Sequence, residues 1–98
     1  MDVKSSLQAV IQDALHKAIE KGQLPVGEYP EILLEEPPNK EFGDFSSNIA
    51  MQSAKVARKA PRMIGEAIAT EIEEPWIEKV EIAGAGFLNF YVKSDLIY

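Results

Sequence analysis

The chain has no cysteine, a single histidine, and no apolar run near the roughly 18 residues needed to cross a bilayer. Without cysteine there are no disulfides, no thiolate metal ligands and no cysteine nucleophile. His16 has no second histidine with which to share a metal ion. The opening MDVKSSLQAV carries neither a basic leader nor an apolar signal core. Neither secretion nor membrane anchoring is expected, and a reducing, cytoplasmic setting is. A phosphate-binding loop is also missing. Gly84-Ala85-Gly86 supplies a GxG, but no third glycine and no helix pattern follow it. The acids fall on helix faces or in stretches such as Glu71, Glu73 and Glu74, a solvated-surface pattern rather than a converging pair. No catalytic residue, metal ligand or cofactor is expected within these residues. Whatever the chain does, it does by binding.

What is present is an ordinary globular composition: 98 residues, 46% hydrophobic and 27% charged, enough for one core and one domain. The net charge of −6 argues against a polyanionic partner, but it is unevenly spread. Residues 1–39 carry three cations against seven acids, and residues 63–98 two against seven. Residues 40–62 reverse the balance, with five cations against two acids. Lys55, Arg58, Lys59 and Arg62 form an island without a single acid. Their i, i+3, i+4, i+7 spacing would place them on one side of a continuous helix, although Pro61 interrupts it. The plainer reading of this island is a solvated helix face, and a phosphate-binding face is the alternative. Salt dependence separates them, because each phosphate contact makes affinity fall with ionic strength.

The apolar periodicity predicts a helix from Val3 to Lys21, capped by Asp2 and stopped by Gly22, with His16 at the margin of its apolar face. Breakers occupy residues 23–30. Glu31 to Glu36 reads as a short strand before Pro37-Pro38. After a loop, Ser46 and Ser47 are expected to cap a second helix through Lys59. In the loop, Asp44 or Ser46 could serve free N–H groups at that helix start, and Phe42 and Phe45 are expected to staple the loop to the core. Pro61 opens a third helix to about Glu73, with Ile64, Ile68 and Ile72 on one face. Strands at 77–83 and 87–92, joined by Gly84-Ala85-Gly86, read as a hairpin. The fold expected is a two-layer α+β domain, with helices packed on one face of a small antiparallel sheet and the other face open.

The last strand, GFLNFYV, is the informative one. Alternation puts Leu88, Phe90 and Val92 on one face, which is core, and Phe87, Asn89 and Tyr91 on the other. A carboxamide between two aromatic rings is what recognition of an unstacked base uses, the ring for stacking and the amide for the base edge. Aromatic residues covering a sheet's second face give the same pattern. The face could therefore meet RNA, or dock against another protein or domain.

Gly43-Asp44-Phe45, Asn48, Ala50-Met51, Ala54-Lys55 and Pro61-Arg62, followed by Glu81 through Phe90 (EIAGAGFLNF), resemble the N-terminal additional domain of arginyl-tRNA synthetases. The likeness runs from about residue 5 to residue 92. The blocks GDF-x-x-N-x-AM and AGxGF-x-NF are specific together, about forty residues apart, and weak singly. Ala85 departs from the family's usual proline. The resemblance implies a module that binds the D-loop at the outer corner of tRNA and helps position it for arginylation. It further implies that Phe87 and Asn89 contact an exposed D-loop base, typically adenine. Tyr91 is added from its place on the strand. The remaining expected contacts are Lys55, Arg58, Lys59 and Arg62. The resemblance also implies a longer parent chain, whose downstream synthetase domains are partners and use ATP. A monomer is expected.

Overall fold

Asp2 begins the fold. Its Oδ1 accepts from Ser5 N at 2.7 Å, occupying a free N–H at the start of α1 (Val3–Glu20). One face of α1 then buries Leu7, Ile11, Ala14, Leu15 and Ala18. Gly22, at φ 77°, turns the chain out of the helix as its N–H returns to Ile19 O at 3.0 Å. The computed structural model describes residues 2–93. The final residues, 94–98, lie outside them, as does any question of a continuation there.

Beyond α1 the order is a 3₁₀ turn (Lys40–Phe42), β1 (Phe45–Ser47), α2 (Ile49–Gln52), α3 (Ala54–Ala57), α4 (Pro61–Thr70), β2 (Ile77–Ala83) and β3 (Phe87–Val92). The sheet is antiparallel in the order β1-β3-β2, so the last strand lies in the middle. On its core face Leu88 and Phe90 join the hydrophobic core that α2 and α4 cover, and Val92 is buried at the strand's end. Phe90 stands between Phe45 and Val80, and Leu88 between Ser47 and Ile82. Full burial of side chains of this size stabilises by about 1.5–3 kcal/mol each. This is the expected two-layer α+β architecture.

Several expectations are corrected. Residues 31–36 do not form a strand. They run extended beside the sheet and touch it at one bridge, Glu35 to Ser46, with both backbone bonds made at 2.8–2.9 Å. Pro30 and Pro37-Pro38 flank this segment, and proline has no N–H with which to extend the ladder. The third strand is instead Phe45–Ser47, in the segment read as loop and cap. Asp44 sets it in place: its N–H donates to Phe90 O at 2.8 Å and its Oδ2 accepts from Val92 N at 2.9 Å. The approach to β3 is so close that a side-chain carbon on Gly43, at φ 90°, would lie 2.8 Å from Phe90 O. Only glycine fits there. Asp44 is thus spent on β3 rather than on a helix start, and of the two serines only Ser47 caps, accepting from Ile49 N at 3.2 Å.

The expected helix through Lys59 is also broken. Ser53 separates two four-residue turns, and Arg58 ends the second in the left-handed region at φ 55°. The basic island therefore does not lie on one continuous helix. Helix α4 begins at Pro61 as expected and stops at Thr70, before Ile72.

Candidate functional site

The sheet's second face is built by register. Phe87 pairs with Ala83, Asn89 with Glu81 on one side and Ser46 on the other, and Tyr91 with Lys79. Over this face lies a cavity of about 410 Å³, within the range of small-ligand sites. Ser46 and Asn89 contribute its polar lining and Phe87 one aromatic wall. Glu35, Glu36 and Pro37-Pro38 supply a side from the extended segment, and Ala83 and Gly84 another from the hairpin. The remaining ring is Phe42.

The alternation expected for β3 is therefore observed, with one refinement. Phe87 is 44% exposed, but Asn89 is 4% exposed, enclosed by the cavity's walls rather than open to solvent. Asn89 Oδ1 accepts from Ser46 Oγ at 3.0 Å, while Nδ2 makes no hydrogen bond among the described residues. A hydroxyl can donate or accept, so Ser46 supports the amide in either orientation. The amide can thus present either edge to a bound group.

Tyr91 does not line this cavity. Its hydroxyl donates to Glu41 O at 2.6 Å and to Glu81 Oε1 at 2.9 Å, one proton shared between two acceptors. Lys79 Nζ sits 4.5 Å from the ring centroid. Those bonds clasp the 3₁₀ turn to the sheet, and that turn carries Phe42. Donation by Tyr91, and then Lys79, hold the Glu81 carboxyl below its ordinary value. Desolvation, and then the bond to Glu81, raise the Tyr91 phenol.

Phe42 is the residue the sequence reading missed. Expected as a staple to the core, it is 52% exposed and faces the cavity, whereas Phe45 is 6% exposed and does pack in the core. The available signal was the turn dipeptide Gly43-Asp44, which separates the two rings and lets them face opposite ways.

The basic residues scatter. Lys55 lies on α3, Arg58 and Lys59 at the α3–α4 junction, all exposed. Arg62 alone reaches the site's rim, donating from Nη1 to Gly84 O at 2.9 Å. Among the described residues no cluster of histidine and acidic side chains could hold a metal ion, and no helix is long and apolar enough to cross a membrane.

The two blocks singled out in the sequence are neighbours in space: Gly43-Asp44-Phe45 enters β1, and residues 83–90 run from the end of β2 through the turn into β3, its direct partner. A family model described as the arginyl tRNA synthetase N terminal domain matches residues 5–92. The chain belongs to this family. An arginine–tRNA ligase from Desulforamulus reducens is 44% identical over 99 residues, covering 99% of this chain and 18% of its own length. One from Listeria welshimeri is 56% identical over 73 residues, 72% of this chain and 13% of its own. The chain thus spans less than a fifth of the length of these relatives. The arginyl-tRNA synthetase of Plasmodium falciparum superposes with a TM-score of 0.78 at 19% identity, over 97% of this chain and 17% of that one. That of Thermus thermophilus gives 0.67 at 21%, over 95% and 14%. As an arginyl-tRNA synthetase N-terminal domain, the chain carries its cavity on the sheet face left bare by the helices.

Proposed function

We propose that this domain binds tRNA at the D-loop, as the tRNA-positioning module of a longer arginine–tRNA ligase. An unstacked base enters the cavity, stacks on Phe87 and is paired at its edge by Asn89. The observation that carries this reading is the conjunction of an exposed ring and an enclosed carboxamide in one cavity. Stacking on an aromatic ring contributes about 1–3 kcal/mol, and an amide held in place discriminates between bases by a similar amount. Adenine, with adjacent donor and acceptor, suits an asparagine that offers both. Among the described residues no segment covers Phe87 or Phe42, which favours an open RNA site over docking against this chain's own elements. ATP-dependent arginylation in a cytoplasmic setting then belongs to the parent's other domains, which are this module's remaining partners. The net charge of −6 implies weak affinity in isolation, most phosphate contacts being supplied elsewhere.

The test is a tRNA titration of the isotopically labelled chain followed by NMR. Resonances of residues 87–91 should shift, and Phe87→Ala or Asn89→Ala should each weaken binding by about tenfold. Shifts that avoid this strand altogether would assign the face to protein docking.

A further inference from the structure

Phe87 has a second hollow beside it. A cavity of about 260 Å³ is bordered by Phe87, Leu33, Asn48 and Gln52, and it shares Glu35 and Ser46 with the first. Register explains the arrangement. Ser47 pairs with Leu88, so the next residue, Asn48, falls alongside Phe87, and α2 then brings Gln52 one turn later. Both carboxamides are uncommitted. Asn48 stands at the N-cap of α2, where an asparagine normally bonds the helix start, yet its side chain makes no such bond. Ser47 Oγ accepts from Ile49 N instead. Neither Asn48 nor Gln52 has a side-chain hydrogen bond among the described residues. The second hollow therefore repeats the chemistry of the first, with the same ring as a wall and amides free to meet a base edge.

We infer that this hollow is a second nucleobase subsite, and that Phe87 separates two consecutive bases of a single strand, one over Asn89 and the next against Asn48 and Gln52. The inference rests on the tRNA-binding reading given above and extends it from one base to two. Phosphates are not the group held here, because Glu35 borders both hollows and Glu36 the first and their carboxylates repel them. A carboxylate can accept from the exocyclic amino group of a base, so Glu35 is compatible with the edges of adenine or cytosine. The backbone of the strand passes on the opposite side, toward Arg62 at the hairpin.

The experiment titrates the labelled chain with adenosine monophosphate, with the RNA dinucleotide ApA, and with dinucleotides of the same charge lacking one base at either end. The mononucleotide should shift Phe87 and Asn89. ApA should in addition shift the side-chain amides of Asn48 and Gln52, and bind about tenfold more tightly than either abasic form, as one more stacked base allows. Gln52→Ala and Asn48→Ala should reduce that advantage while leaving the mononucleotide affinity unchanged. If ApA and its abasic forms bind equally, with Asn48 and Gln52 still, the second subsite is wrong and the first stands. If Phe87 and Asn89 shift with none of these ligands, the base-binding reading fails, and the second subsite with it.

Discussion

Ser46 Oγ lies 3.0 Å from Asn89 Oδ1, a bond across the β1–β3 pair that ties together the two sequence blocks on which the family likeness rests. It fixes the plane of the Asn89 amide and leaves Nδ2 and the second lone pair of Oδ1 free. Replacing Ser46 by alanine removes the partner without touching the core, since Ser46 faces the cavity. The expected result is a loss of about tenfold in RNA affinity with about 1 kcal/mol lost in stability, the net value of one side-chain hydrogen bond. Urea unfolding and the tRNA titration measure the two separately. Equal affinity for Ser46→Ala and the parent would show that the amide needs no positioning.

The Tyr91 clasp makes a prediction about pH. Glu81 titrates below its ordinary 4.5 in the fold, so its contribution is present above that value and is lost as pH falls through the lowered one. Tyr91 titrates above its ordinary 10.0, so its contribution is present below that value and is lost as pH rises through the raised one. The clasp is complete between the two. The stability difference between the parent and Tyr91→Phe should be constant across that window and shrink beyond both ends. Chemical denaturation over the pH range reads it, and a difference that never varies would remove the clasp from the account.

The proposed tRNA reading gives Arg62 two separable roles, charge toward the phosphates and fixation of the hairpin through Gly84 O. Arg62→Ala should lower tRNA affinity for all sequences alike and reduce the slope of log affinity against log salt by about 1. It should also speed amide exchange in the turn at residues 84–86, because Gly84 O loses its donor. Arg62→Lys keeps the charge but not the planar fork of donors, so it should preserve most of the salt slope and still loosen the turn. A slope unchanged by Arg62→Ala would place the phosphates elsewhere on the surface.

How much of this could be read from the sequence follows from the range of each interaction. Helix α1 was legible because its cap at Asp2, its apolar face and its stop at Gly22 are all local. The hairpin and the facing of Leu88 and Phe90 followed from period-two alternation for the same reason. Residues 45–47 did not show themselves as a strand. Three residues are too few for a period, and what makes them one is a partner forty-odd positions away, reached through Gly43 and Asp44. Asn89 was expected in solvent because alternation gives the face, not the depth. Its enclosure comes from walls that the extended 35–38 segment and the 3₁₀ turn bring from afar. The basic island was misaligned because Ser53 and Arg58 carry no breaker signature, yet they end both short helical turns.

Phe42 and Phe45 provide the sharpest contrast, since they lie three residues apart and face opposite ways across the sheet. Phe45 is 6% exposed, in the core beside its strand partner Phe90. Phe45→Ala should therefore cost about 3–5 kcal/mol, the range for truncating a core phenylalanine. Phe42 is 52% exposed and borders the cavity opposite residues of the hairpin. Its truncation leaves no void in the core, so Phe42→Ala should alter stability by less than about 1 kcal/mol. If a base lies between Phe42 and Phe87, the same change should weaken tRNA binding by severalfold, and Phe42→Trp should restore it. Loss of stability without loss of binding would return Phe42 to the role of a staple. Loss of binding with stability kept would make it the second aromatic wall of the site.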